Sequence, residues 1–383
     1  MKRLVLLFAV YTTSLNAQVL TKEDSLAAGL IASNNATVIS GYGNARYENN
    51  LTDGKASVNL DRIVLFVGHK FNKKVSFFSE LELEDAKVAG GGSTGEIAME
   101  QAFIKFNYDK NNYFTAGLFI PRIGIINENH LPTTFSSNRR PFVEKYVIPA
   151  TWRELGVGYY GTSKRILGLN YSIALINGLS SASFEAGEAI RGGRFEGSDA
   201  SASALALTGS LLHYYKNFRT QISAYYGGSA GITNQEARDL QLKNGVFGTP
   251  VSLYEANIQY TSNKFYFKAL ACHISIPDAD KINGAYSNNT PEQVIGTYGE
   301  LGYKITTKKQ AIWSIFSRYE YMDLNLKTPS GLSKSNALNR QYVVSGVTFQ
   351  PVNGVLIKLD HNYQVDAGHS EVNSINFGVG YSF

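Results

Sequence analysis

The last ten residues alternate strictly. Ile375, Phe377, Val379, Tyr381 and Phe383 are large and apolar, and Ser374, Asn376, Gly378, Gly380 and Ser382 between them are small or polar. A period of two puts the two sets on opposite faces of a β-strand. The pattern recurs upstream. Val355, Ile357, Leu359 and Tyr363 alternate with Lys358, Asp360, Asn362 and Gln364, and Trp313, Ile315, Tyr319 and Tyr321 alternate with Ser314, Arg318 and Glu320. Leu301, Tyr303 and Ile305 alternate with Glu300, Gly302 and Lys304, and Tyr254, Ala256, Ile258 and Tyr260 with Glu255, Asn257 and Gln259. A soluble sandwich uses such a pattern once or twice. A strand between lipid and water needs it along its whole length.

About 16 such strands are predicted, over residues 36–48, 56–70, 74–86, 96–108, 112–121, 153–161, 167–177 and 203–215, then 217–228, 251–262, 264–275, 294–305, 310–322, 338–350, 354–364 and 373–383. Parity is ambiguous near 205–212 and 341–349. Most spans reach ten residues, which suits a tilted membrane strand of about 9–11 better than the soluble mode of about five or six. Connections alternate between short turns and longer loops near 49–55, 87–95, 122–152, 178–202, 229–250, 276–293, 323–337 and 365–372. Aromatic residues gather beside the short turns, as at Tyr113-Phe114, Tyr214-Tyr215 and Phe265-Tyr266-Phe267. Amphipathic rings favour the membrane–water boundary. Two stretches break the rhythm. Residues 21–33 suit a short helix or a tether, and Thr233-Asn234-Gln235-Glu236 has the spacing of a capping box that opens a helix through Lys243. The expected fold is all-β: a single transmembrane antiparallel β-barrel of about 16 strands, with both termini on the short-turn, periplasmic side.

Composition agrees. Tyr (24), Phe (21) and Gly (36) are abundant, and no segment approaches the 18 consecutive apolar residues of a helical span. Lys2 and Arg3, the apolar run 4–10 and a polar stretch ending at Ala17 read as a signal peptide, residues 1–17. Residues 18–35 then form a periplasmic segment, too short for a plug domain, and 36–383 the outer-membrane barrel domain. Removing Lys2 and Arg3 takes 36 basic residues to 34 against 31 acidic, a net charge of about +3 without clustering, so no nucleic-acid partner is expected. The single Cys272 excludes an intramolecular disulfide. The expected partners are outer-membrane lipid and whatever solute the barrel admits, in the outer membrane of a Gram-negative cell.

Sixteen strands enclose an aqueous lumen. Parity turns Glu80, Glu82 and Glu84 inward as a carboxylate column, together with Arg46, Arg62, Lys105, Arg219, Lys268, Arg318 and Lys358, and Glu320 shares the inward parity of Arg318. Such a mixed lining suits a solvated wall as well as a selectivity filter, and it argues against a one-sign sieve. The third long loop carries Arg122, Glu128, His130, Arg139, Arg140, Glu144 and Lys145. It also carries Leu131, Phe135, Phe142 and Val147, which a freely solvated loop has no need of. It is therefore expected to fold into the lumen and narrow it. Arg122, Arg139 and Arg140 with Glu80, Glu82 and Glu84 are the expected constriction, and Arg62, Arg318, Glu320 and Lys358 further pore-lining residues.

The run Ala116-Gly117-Leu118-Phe119-Ile120-Pro121-Arg122-Ile123-Gly124 resembles a strand end of the phosphate-selective porin O/P-like family. Trp152-Arg153-Glu154-Leu155-Gly156-Val157 resembles the strand that follows that family's third loop, Ile176-Asn177-Gly178 a further strand end, and Glu80-Leu81-Glu82-Leu83-Glu84 its early acidic strand. His130-Leu131-Pro132 and Arg139-Arg140-Pro141 depart from the O/P pattern and resemble porins of Bacteroidota. The resemblance implies a trimeric, 16-stranded diffusion channel. The arginine ladder and lysine cluster that accompany phosphate selectivity do not map onto this chain, so that property is not carried over.

Enzymatic readings are weaker. Gly227-Gly228-Ser229-Ala230-Gly231 matches the nucleophile-elbow pattern, but such an elbow belongs on a parallel sheet with packed helices. Asp278-Ala279-Asp280 with Asn283-Gly284 has the wrong register for a calcium loop and reads as an Asp/Asn turn. The run 90–93 lacks the ending of a phosphate loop, and the six histidines show no metal-ligand spacing. No catalytic residue, metal or cofactor is expected. The expected function is passive diffusion of small hydrophilic solutes or ions, with the loop arginines favouring anions. The alternative is a non-conducting barrel whose loops bind a partner. Intact-mass measurement of the protein from outer membranes is expected to place the first mature residue at Gln18; retention of Lys2 and Arg3 would rule out the cleavage.

Overall fold

The computed structural model describes residues 37–85, 95–231, 233–307 and 311–383. The expected signal peptide, the segment 18–35, the run 90–93 and most of the second long loop lie outside the described residues. The strands are β1 (Thr37–Asn50), β2 (Lys55–Lys70), β3 (Val75–Glu84), β4 (Glu96–Asn107), β5 (Asn112–Phe119), β6 (Glu154–Thr162), β7 (Leu169–Asn177) and β8 (Leu205–Tyr215). They continue with β9 (Phe218–Gly227), β10 (Val251–Thr261), β11 (Phe265–Ser275), β12 (Gln293–Thr306), β13 (Ile312–Lys327), β14 (Asn339–Gln350), β15 (Val355–Asp366) and β16 (Glu371–Ser382). Each pairs antiparallel with its sequence neighbours, and β1 pairs β16, so the sheet closes into a barrel. At the seam Gly41 N–H donates to the Phe383 carbonyl (3.2 Å) and Phe383 N–H donates to the Gly41 carbonyl (2.9 Å). Closure leaves no row of unpaired backbone groups facing hydrocarbon, where each would cost several kcal/mol.

Outward residues are large and exposed, among them Leu301, Ile315, Leu359, Phe377 and Val379. Near the short turns cross-strand aromatic pairs form a row: Phe114–Tyr159, Phe218–Tyr260 and Phe265–Tyr303 have centroids 4.9 Å apart, and Trp313–Phe349 4.3 Å. Offset and edge contacts of this kind each contribute about 0.5–1.5 kcal/mol beyond burial.

The first and last outer connections are short, contrary to the expectation of longer loops at 49–55 and 365–372. Pairing continues to Asn50↔Lys55 and to Val365↔Glu371, leaving only residues 51–54 and 367–370 as turns. The ambiguous segments also resolve. Ala206, Thr208, Ser210 and Leu212 on β8, and Tyr342, Val344 and Thr348 on β14, are buried inside, while Leu207, Leu211, Val343 and Val347 are exposed outside. Parity was obscured because both faces carry apolar groups there.

Among the described residues, three short helices sit in the outer loops: α1 (Phe142–Tyr146), α2 (Asn234–Asp239) and α3 (Ala279–Tyr286). α2 has the expected capping box, with the Thr233 hydroxyl accepting from Glu236 N–H and the Glu236 carboxylate accepting from Thr233 N–H. It stops at Asp239, short of Lys243. α3 replaces the expected Asp/Asn turn; Asp278 precedes it and pairs with Lys243 (2.9 Å) and Lys281 (3.4 Å). A cation at mid-membrane depth on the outer face of such a barrel costs about 2–4 kcal/mol. Leu359→Arg is expected to lower the unfolding free energy by about 2 kcal/mol in urea titrations of vesicle-embedded protein, with Leu359→Ile, which keeps an apolar group on the lipid face, as a control.

Candidate functional site

Between β5 and β6 runs the longest outer connection, residues 120–153, with α1 within it. Its apolar side chains choose where it goes. Ile123, Val143, Val147, Ile148 and Trp152 are fully buried in one cluster with Ile176, Tyr225, Leu253, Val294, Met322 and Val344, which project inward from the outer halves of β7, β9, β10, β12, β13 and β14. Trp152 lies 4.8 Å from the Tyr225 ring and Phe142 4.1 Å from the Tyr342 ring. Burying a large apolar side chain stabilises by about 1.5–3 kcal/mol, so this contact draws the connection inside. Small wall residues give it room: a Cβ on Gly296 would meet Val143 at 2.7 Å, and one on Gly380 would meet Pro132 at 2.8 Å.

Polar anchors then fix it. Asp360 accepts from Asn138 N–H (2.7 Å) and from the Asn138 amide (2.6 Å), and is itself held by Asn376 (2.8 Å). Glu320 accepts from Val143 N–H (2.9 Å) at the start of α1 and from Arg318 Nε (2.8 Å). Arg318 also donates to Glu300 (3.0 Å) and Ser137 Oγ (2.7 Å), and Lys358 Nζ donates to the Ser137 carbonyl (2.9 Å). Arg139 pairs with Glu48 on β1. Glu128 is clamped between Arg122 and Arg219. From the fourth loop, Arg191 donates to the carbonyls of Lys145 and Ala150, and Arg194 to those of Pro149 and Thr151.

The ten residues singled out in the sequence fall into two groups. Glu80, Glu82, Arg318, Glu320 and Lys358 point inward but lie beneath the long connection, none more than 3% exposed. Arg62, Glu84, Arg139 and Arg140 border an outer cavity of about 310 Å³, which also touches Arg46, Asp61, Asp85, Lys145 and Arg191. Arg122 borders a cavity of about 590 Å³ at the short-turn end, with Lys70, Lys73, Lys74, Lys105, Lys110 and Asp109. Arg62 bridges Glu82 (3.1 Å) and Glu84 (3.6 Å). Arg140 is pushed down to about 10 by burial and by the neighbouring Arg62 charge, which leaves it cationic at neutral pH. Lys105 was expected to face inward, whereas Lys73, Lys74 and Lys110 escaped sequence reasoning because turn lysines carry no inward parity, and Lys70 because it ends its strand.

Glu100 escaped for a different reason. The pairing of β3 with β4 slips between Glu80 and Leu81, so Gln101 pairs with Glu80 and Met99 with Leu81. The bulge turns Glu100 inward beside Gln101, where its carboxylate accepts from Tyr42 OH (2.7 Å) and the Thr151 hydroxyl (2.9 Å). The signal was present in the sequence: exposed Ile97 and Met99 are out of phase with exposed Ile104 and Phe106. Ser229, in the elbow-like run, is buried and donates to the Thr249 carbonyl (2.6 Å), a structural role.

Burial pushes the Glu144 carboxyl up to about 7, against the lowering pull of its bonds from Ile126 N–H, Tyr298 OH and Ile125 N–H. An undocked connection would titrate near the ordinary 4.5. A pKa raised on docking means that the docked form binds more protons, so docking is strongest below about 4.5 and weakens as pH rises through 7. Protease accessibility of the connection is expected to rise between pH 5 and pH 8, and Glu144→Gln to flatten that rise. A pH-independent wild type would refute the assignment.

Comparison with known proteins agrees with this architecture. An uncharacterised protein of Aquifex aeolicus is 28% identical over 341 residues, covering 84% of this chain and 74% of its own. The outer membrane channel DcaP of Acinetobacter baumannii is similar in fold, with a TM-score of 0.59 at 13% identity over 91% of this chain and 97% of that one. So is the anion-selective porin from Comamonas acidovorans, at 0.52 and 10% identity over 91% and 99%. Residues 34–370 match the family described as phosphate-selective porin O and P, and the chain therefore belongs to that family of outer-membrane porins.

Proposed function

We propose that this outer-membrane porin, a channel for passive diffusion, favours small anions, and that the inner connection 120–153 is its constriction. The observation that carries the proposal is the charge of the two cavities on either side of that connection. The outer one is bordered by six cations, Arg46, Arg62, Arg139, Arg140, Lys145 and Arg191, against Asp61, Glu84 and Asp85. The short-turn one is bordered by Lys70, Lys73, Lys74, Lys105, Lys110 and Arg122 against Asp109 alone. Low-dielectric walls with an excess of one sign raise the local concentration of the opposite ion. On this reading the buried group of Glu80, Glu82, Arg318, Glu320 and Lys358 holds the constriction in place, and Arg62, Arg122, Arg139 and Arg140 face the passing solute.

Association into a homotrimer belongs to the same reading. Its support, beyond the family, is an apolar groove of about 770 Å³ on the outer surface, where Ala224, Ala256, Ala271 and Thr297 lie between Leu211, Ile222 and Tyr254. Small side chains there admit the wall of a second copy.

Planar bilayers test the channel. Stable ohmic steps are expected, with a reversal potential in a salt gradient of the sign that marks anion preference. Arg139→Ala with Arg140→Ala is expected to lower the anion-to-cation permeability ratio several-fold, and phosphate to compete with chloride. Unchanged selectivity in the double variant would remove the constriction assignment. No conductance from correctly folded protein would favour a barrel whose loops bind a partner.

A further inference from the structure

Three side chains far apart in sequence meet under the inner connection. Glu80 comes from β3, Glu100 from the β4 bulge and His130 from the connection, and one ligand atom from each lies within 4.8 Å of the others. All three are at most 1% exposed. We propose that Glu80, Glu100 and His130 form a site for a divalent transition-metal ion, zinc foremost, that staples the connection to the barrel wall.

The spacing supports this. His130 Nε2 stands 3.5 Å from Glu80 Oε2 and 3.6 Å from Glu100 Oε2. Two ligands about 2.1 Å from a shared tetrahedral ion are separated by about 3.4 Å. The carboxylates are also held from behind. Gln101 donates to Glu80 Oε2 (3.0 Å), and Tyr42 and Thr151 donate to the two oxygens of Glu100. Outer partners of this kind orient metal ligands and are part of a working site. The Tyr42 ring packs edge-on against the imidazole at 5.8 Å, restricting its rotation.

The donor set selects the metal. One imidazole with two carboxylates suits zinc and its first-row neighbours, whereas calcium and magnesium prefer all-oxygen surroundings. Charge is compatible. A dication neutralises Glu80 and Glu100, while Glu82 is paired with Arg62 at 3.1 Å. Arg140 also faces these carboxylates and opposes the ion in part. The competing state is a protonated imidazole between the two carboxylates, without metal. The sequence gives no hint of the site, because its ligands are 20 and 30 residues apart. Burial implies that the ion enters as the connection docks.

The test uses the full chain purified folded from outer membranes, stripped with a chelator and titrated with zinc or cobalt(II). About one zinc per chain by elemental analysis is expected, with cobalt absorption bands of a tetrahedral nitrogen–oxygen site. His130→Gln and Glu80→Gln are each expected to weaken binding at least tenfold, with folding checked by heat-modifiable gel migration. Substoichiometric zinc in the folded wild type, or unchanged affinity in His130→Gln, overturns the site. If neither variant folds, the wild-type cobalt spectrum decides: an octahedral aquo-type spectrum also overturns it. Conductance that depends on pH but not on metal would assign the cluster to the imidazolium ion pair instead.

Discussion

In hydrocarbon a backbone N–H or C=O finds no water, and the rest of this molecule depends on that constraint. It requires the sheet to close, and β1 pairing with β16 meets the requirement. Closure with a period of two then sorts every strand into a lipid face and an interior face. The chain can leave polar and charged groups in its spanning strands only because the interior face exists.

The interior is not uniform. Around β7 to β14 apolar side chains from the outer half of the wall make a small core with the inner connection. Around β1 to β4 and β15 to β16 the wall is charged, and there the connection is held by Glu48, Glu80, Glu100 and Asp360. Burial and directional bonds divide the work: the first supplies the attraction, and the second, from Glu320 and Arg318 on β13 as well as from the charged side, fixes the position. Breaking one partner of a buried charged pair costs about 3–5 kcal/mol, because the survivor stays desolvated. A connection held in this way resists small displacements.

Most of the barrel was legible because its signal is local. Alternation in 355–364 or 374–383 needs no knowledge of the partner strand, and the turn residues between strands are equally local. The boundaries at 51–54 and 367–370 were missed because pairing past the membrane edge depends on the neighbouring strand, not on hydropathy. The site was less legible. Parity turned Glu80 and Arg318 inward correctly, but whether such a residue meets water or is covered depends on where residues 120–153 settle. That is decided by contacts as distant as Asn138 with Asp360 and Val143 with Glu320. The β4 bulge shows the intermediate case, where a phase slip between Met99 and Ile104 was readable but its effect on Glu100 was not.

The seam between β1 and β16 differs from every other junction in the barrel, since no turn joins the two strands on either rim. The inner connection crosses it. Arg139 is tied to Glu48 on β1, while its neighbour Asn138 holds Asp360 on β15 and the Asn376 carbonyl on β16. Two adjacent residues thus grip both sides of the one gap that the chain does not itself bridge. The gap can part sideways only by tearing this grip, and the grip cannot form until the gap has shut. The connection folded inside the barrel is also its internal clasp.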